Sequence, residues 1–200
     1  MPDAPAPRRR GRPPAAASGA TRQRILAAAT DEFGASGYDA TTIRGIAERA
    51  GVDAALVHHY FGTKADLFAA VVGAPLRPDI AVRVMLEGPR DDLGESIVRY
   101  VLEIWEQPDV QRRGVALLRT AIGNRAMTPL LAGFLSRELL GRIATELAVP
   151  DAELRATLAA SQVAGLLAMR YILRLPAMTS ASVDELVERI GPTIQRYLAG

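Results

Sequence analysis

Residues 42–61 read Thr42-Ile43-Arg44-Gly45-Ile46-Ala47-Glu48-Arg49-Ala50-Gly51-Val52-Asp53-Ala54-Ala55-Leu56-Val57-His58-His59-Tyr60-Phe61, and this stretch decides the fold. Ile46, Ala50, Val52, Val57 and Tyr60 fall where two short crossed helices bury them. Ala47 is small enough for close helix approach, and Gly51 can take the positive φ of the turn. The spacing is that of a helix-turn-helix, which leaves its second helix free to enter a groove of duplex DNA.

Working outward, apolar residues at helical spacing predict a first helix over about 21–36, ended by Gly37. Helices follow at 43–50, 54–61 and 64–72, the last interrupted by Gly73 and Pro75. Further helices are predicted near 78–87, 91–106, 109–123, 128–148, 151–174 and 182–198, each bounded by a Gly, Pro, Asn or Ser signal. No strand-like alternation survives, so the fold class is all-α, with about nine or ten helices and no internal repeat.

Charge is placed unevenly. Residues 8–24 carry six Arg and no acid, whereas residues 73–200 balance fifteen Arg against fifteen acids. The positive end is therefore the end that carries the helix-turn-helix, where it can neutralise phosphates and release counterions. Residues 1–20, rich in Pro, Ala, Arg and Gly, are expected to form a disordered basic arm. Within it Arg10-Gly11-Arg12-Pro13 resembles an AT-hook core, in which Arg10 and Arg12 would enter an A·T-rich minor groove; a generic basic tail is the alternative.

At these residues a family emerges. The stretch from Thr21 to Val72, with Phe33, Gly37-Tyr38, Thr41-Thr42-Ile43, Ile46-Ala47, Ala50-Gly51-Val52, Tyr60-Phe61 and Lys64-Ala65-Asp66-Leu67-Phe68, resembles the N-terminal domain of the tetracycline-repressor (TetR) family of transcriptional regulators. The resemblance implies a DNA-binding domain over 21–72 and a ligand-binding and dimerisation domain over 73–200. It also implies a regulator that a small molecule releases from a pseudo-palindromic operator. Two residues depart from the family pattern: His58 stands where a phosphate-binding Tyr is usual, and Asp53 where a Ser or Thr caps the reading helix.

The DNA contacts expected on this reading begin with Thr41 or Thr42 as the cap of the first motif helix, whose free N–H groups favour a phosphate, and with Arg44. Lys64, the chain's one lysine, is expected on the opposite phosphate wall, with Tyr60 nearby. Base readout is assigned to Ala54, Ala55, His58 and His59, with Asp53 beside them. Alanine methyls can touch thymine methyls, and a histidine can donate to a purine acceptor or to phosphate. His58 and His59 are the only histidines; neighbours on a helix diverge by about 100°, so they are poor metal co-ligands, and a pH-dependent DNA affinity is a secondary reading that ranks above metal binding.

The helix over 151–174 is apolar all round and demands burial on more than one side. With the last helix it predicts a four-helix homodimer interface through Leu158, Gln162, Gly165, Leu166, Met169, Leu186, Ile190 and Ile194, with Ala160, Ala164 and Ala168 permitting close approach. Effector-pocket candidates are Tyr100, Ile104, Trp105, Leu118, Arg119, Ile122, Met127, Phe134, Met169 and Tyr171. With Arg119 as an internal cation, the pocket is expected to take an apolar or weakly anionic molecule.

Other function classes are argued against. The absence of cysteine excludes disulfides, thiolate metal sites and Cys nucleophiles, and both histidines lie in the DNA reader, which leaves no Ser-His-Asp set or metal cluster in 73–200. No enzyme, cofactor or metal is expected. The longest uncharged helical run, 156–169, is too short and too polar to span a bilayer, so a soluble cytoplasmic protein without a membrane partner is expected. The competing reading is an effector-independent DNA-organising protein of low sequence specificity.

Overall fold

The computed structural model describes residues 15–75 and 77–199, apart from the side chains at 15–17, 122 and 123. Every regular element among them is helical. The elements are α1 (Ala15–Ala40), α2 (Ile43–Ala50), α3 (Ala54–Phe61), α4 (Lys64–Val72), α5 (Pro78–Leu86), α6 (Leu93–Trp105) and α7 (Pro108–Gly123). After these come α8 (Met127–Leu135), α9 (Gly141–Leu147), α10 (Ala152–Leu167), α11 (Pro176–Ser180) and α12 (Val183–Ala199). The bounds track the expected ones closely, with three exceptions, of which the first is the short helix α11, where none was expected. Helix α1 starts at Ala15, so residues 15–20, expected in the disordered arm, are helical. Two helices expected as continuous are each interrupted by a π-helical turn, Ser136–Leu140 between α8 and α9 and Ala168–Ile172 after α10.

Local chemistry sets the first four helices. The chain breaks from helical geometry at Gly37, where φ is 80°. Beyond the break, buried Thr41 donates its Oγ1 hydroxyl toward the carbonyls of Glu32 and Gly37, at 3.1 and 2.7 Å. Thr42 caps α2 by accepting from Gly45 N–H at 3.0 Å, and Gly51 ends it in the left-handed region at φ 64°. Asp53 caps α3 by accepting from Ala55 N–H at 2.7 Å. Thr63 and Asp66 form a reciprocal capping box at the start of α4.

Two apolar cores result. The first gathers Ile25, Ala29 and Phe33 of α1, Ile46 and Ala47 of α2, Val57 of α3, and Leu67 and Phe68 of α4; Leu131 and Phe134 of α8 join it from the second half of the chain. The second joins Val98 and Leu102 of α6, Ala156, Leu166 and Leu167 around α10, and Leu186, Val187, Ile194 and Leu198 of α12. Helices α6 and α12 cross closely because glycines meet there: a Cβ on Gly94 would lie 2.1 Å from the Gly191 carbonyl oxygen. Gln195 closes the crossing, accepting from Gly94 N–H at 2.8 Å and donating to the Arg90 carbonyl at 2.8 Å.

This second core corrects the expected interface. Leu166, Leu186 and Ile194 are buried within the chain, so they are core residues and not a face for a partner. Gln162, Gly165 and Ile190 are half-buried. The large apolar residues left exposed between the start of α10 and the start of α11 are Leu154, Leu158, Met169, Leu173 and Leu175.

Candidate nucleic-acid interface and internal cavity

On α3 the exposed side chains are Ala55, Leu56, His58 and His59, while Ala54 and Tyr60 are half-buried and Val57 is the buried anchor. Ala55, His58 and His59 share one side of the helix, since residues three and four apart are neighbours. Asp53, exposed at the helix start, adds a carboxylate to that end. His58 is held: its Nδ1 lies 2.7 Å from the Gly62 carbonyl oxygen, while Gly62 N–H donates to the His58 carbonyl at 2.8 Å. Gly62 has φ 80° and ψ −109°, a backbone geometry suited to glycine.

Around this face the expected contacts divide. Thr42 and Arg44 are exposed; Arg44 pairs with Glu48 at 3.3 Å, a fully solvated i,i+4 pair that holds it only weakly. Thr41 is corrected: it is 2 % exposed and ties the end of α1 to the start of α2, out of reach of phosphate. Lys64 is half-buried: its Nζ donates to the Asp39 carbonyl at 3.2 Å and sits 4.5 Å from the centre of the Tyr38 ring, which leaves two of its three ammonium hydrogens unassigned. Burial there holds its ammonium below the usual lysine range, partly offset by Asp39 and Glu138. Tyr60 shares a 3.0 Å hydrogen bond with Ser18 Oγ, which pins α3 to the start of α1. Arg10 and Arg12 lie outside the described residues.

An internal cavity of about 230 Å³ opens in the second half of the chain. Among the expected residues Tyr100, Ile104, Trp105, Leu118 and Phe134 line it. The others do not. Arg119 is exposed on α7, Met169 is exposed, Met127 is half-buried elsewhere, and the Ile122 side chain lies outside the described residues. Tyr171 is buried beside the cavity wall: its ring lies tilted against Trp105 with centroids 5.3 Å apart, and its hydroxyl donates to Glu106 at 2.9 Å. Burial and the Glu106 carboxylate push that phenol up to about 12. The same carboxylate oxygen receives the Arg170 guanidinium at 3.0 Å, and Arg170 also donates to the carbonyls of Met178 and Ala181. Residues sequence reasoning missed include Gly114, against which the Trp105 indole lies, and Ala156, Ala159, Ala160 and Val163, which make α10 a low wall.

No charged side chain lines the cavity among the described residues. The lining residues that carry a polar side-chain group are Tyr100 and Trp105, so the expectation of an anionic ligand loses its basis with Arg119. Burial also raises the Tyr100 phenol above its ordinary range, with Asp79 adding to the effect, which keeps it a neutral donor.

The cavity and the helix-turn-helix share a wall. Phe134 lines the cavity and packs on Phe68 and Tyr38, with centroids at 4.8 and 5.5 Å. The π turn after it alternates sides. Leu139 and Leu140 line the cavity, whereas Arg137 pairs with Asp39 at 2.5 Å and Glu138 accepts the Tyr38 hydroxyl at 2.6 Å. Burial and the adjacent Glu138 carboxylate hold the Tyr38 phenol above the tyrosine range. Arg77, the residue before α5, pairs with Asp66 of the α4 capping box at 2.9 Å.

Comparison with known proteins agrees with this geometry. Residues 25–71 match the family described as bacterial regulatory proteins, tetR family, and residues 91–198 match the Tetracyclin repressor-like C-terminal domain. The chain is 29% identical over 174 residues, 84% of each protein, to the HTH-type transcriptional regulator BetI of Agrobacterium fabrum. It is 34% identical to a TetR-family regulator from Streptomyces coelicolor, with 95% and 99% of the two chains covered and a TM-score of 0.48. It is 21% identical to NalD, the secondary repressor of the MexAB-OprM multidrug efflux pump in Pseudomonas aeruginosa, covering 91% and 97% with a TM-score of 0.43. The helix-turn-helix, the helical second half and both family matches lead to one conclusion: this chain belongs to the TetR family of DNA-binding transcriptional regulators, and it is not an enzyme.

Proposed function

We propose that the protein is a cytoplasmic repressor that binds a pseudo-palindromic operator as a homodimer and is released by a small, neutral, apolar effector held in the 230 Å³ cavity. On this reading residues 21–72 form the DNA-binding domain and residues 73–200 the effector-binding and dimerisation domain. The observation that carries it is Phe134, a wall of the cavity and a member of the helix-turn-helix core at once. A ligand that displaces Phe134, Leu139 or Leu140 acts on the same segment that holds Tyr38 and Asp39. A shift of the two reading heads then follows from differential binding, with a coupling of about 1 to 3 kcal/mol, or roughly 5- to 150-fold in operator affinity. Leu154, Leu158, Met169 and Leu173 supply the apolar stripe for the partner subunit.

The test is selection of bound fragments from the source genome, followed by a screen of apolar small molecules for release of the selected duplex. A preference of about 10³ over random DNA at physiological salt is expected. Equal affinity for all duplexes would leave an architectural DNA binder in place of a repressor.

A further inference from the structure

The geometry points to His58 as a specificity-determining residue that reads DNA as a hydrogen-bond acceptor, facing an exocyclic amino group, the N4 amine of cytosine or the N6 amine of adenine. It deepens the operator reading above and rests on it. A carbonyl oxygen only accepts, so the 2.7 Å contact to Gly62 requires the proton on Nδ1. The neutral ring then carries a lone pair on Nε2, the nitrogen turned away from that contact. The reciprocal bond from Gly62 N–H to the His58 carbonyl, and the backbone geometry of Gly62, hold the carbonyl in place.

Apart from His59, whose neutral ring carries one donor and one acceptor, the reading surface of α3 is of the same sign. Helix α3 reads Ala-Ala-Leu-Val-His-His-Tyr-Phe and contains no Arg, Lys, Asn or Gln, so it lacks the side chains that recognise guanine through O6 and N7 or adenine by a bidentate amide. The Asp53 carboxylate at its start accepts only, and the Tyr60 hydroxyl is engaged with Ser18. Three residues before His58, exposed Ala55 offers a methyl on the same side of the helix. Acceptor, methyl and acceptor complement amino groups flanking a thymine methyl. A guanine edge, which presents two acceptors, and a phosphate oxygen both repel the Nε2 lone pair.

The experiment uses the full chain and randomised duplexes at pH 8, with wild-type protein and His58→Ala, a change at an exposed position. Wild type is expected to select cytosine or adenine at one position of each half-site, and His58→Ala to lose that preference while keeping the rest. Removing the single amino group at that position, with 2-pyrimidinone for cytosine or purine for adenine, should weaken wild-type binding about tenfold and leave His58→Ala unaffected, within the range expected for one base-pair change. Nitrogen-15 NMR of the histidine rings should show Nδ1 protonated in one of the two. Enrichment with the same base preference in both proteins, or selection of guanine at the position His58 controls, overturns the acceptor role alone. Absence of any enrichment overturns the operator reading and this inference together.

Discussion

Replacing Gly114 by Ala tests whether the cavity is shaped by how far the Trp105 indole can withdraw. A Cβ at position 114 would lie 2.6 Å from Cη2 and 2.8 Å from Cζ2 of that ring, against ordinary contacts of 3.4–4 Å. The ring must retreat by about 1 Å, and Tyr171, tilted against it at 5.3 Å, restricts one side, so the indole advances into the cavity it lines. Overpacking of this kind costs about 1–3 kcal/mol. For a chain of this length that is a fall in Tm of roughly 2–12 °C, at about 2–4 °C per kcal/mol. Trp105 is the only tryptophan, so its fluorescence reports the displacement directly. The variant should show a shifted emission maximum, weaker binding of any effector found by the release screen, and unchanged affinity for the operator without effector. An unchanged Tm, emission and effector affinity together would refute the packing argument.

Three further outcomes are expected. Gly94→Ala brings a Cβ against backbone atoms of α12 that have no rotamer to change, so it should cost about 3 kcal/mol and lower Tm by roughly 6–12 °C in a thermal melt. The Tyr171 phenol titrates near 12 in the folded chain against 10 when unfolded, so its contribution is complete below pH 10 and is lost as pH rises toward 12; melts between pH 9 and 12 should fall less steeply in Tyr171→Phe than in wild type. Leu158→Glu places a charge on the exposed stripe of α10 and should shift a sedimentation profile from dimer to monomer without lowering far-ultraviolet helicity.

What could be read from the sequence was short-range. The turn at Gly51, the caps at Thr42 and Asp53 and the buried set of the motif all act within a few residues, where spacing and side-chain chemistry suffice. Contacts between the halves were illegible because they pair residues such as Tyr38 and Glu138, a hundred positions apart. The errors near Met169 have a different cause. Extrapolating a 3.6-residue period through 168–172 assumes an unbroken helix, and the wider π turn there advances fewer degrees per residue. Along it Met169 is exposed while Arg170 and Tyr171 are buried. Arg119 was avoidable, since Val110, Gly114, Leu118 and Ala121 already mark the inward side of α7 and 119 falls off it.

Ala160 and Ala164 were read as permitting a partner helix to approach, but with Ala156 and Ala159 they line the cavity. Their size carries an energetic argument. An apolar void costs about 24 cal/mol per Å³, so 230 Å³ amounts to about 5 kcal/mol if fully dry, an upper figure for a partly open cavity. That approaches the whole stability of many domains, about 5–15 kcal/mol. Leucine at one or two of these four positions would fill much of the space without disturbing the helix, since leucine and alanine are both strong helix formers. A sequence selected for stability alone would take that route. Four small side chains against one cavity fit the effector site proposed above, and occupancy at a hundred times Kd would offset about 2.7 kcal/mol of the cost.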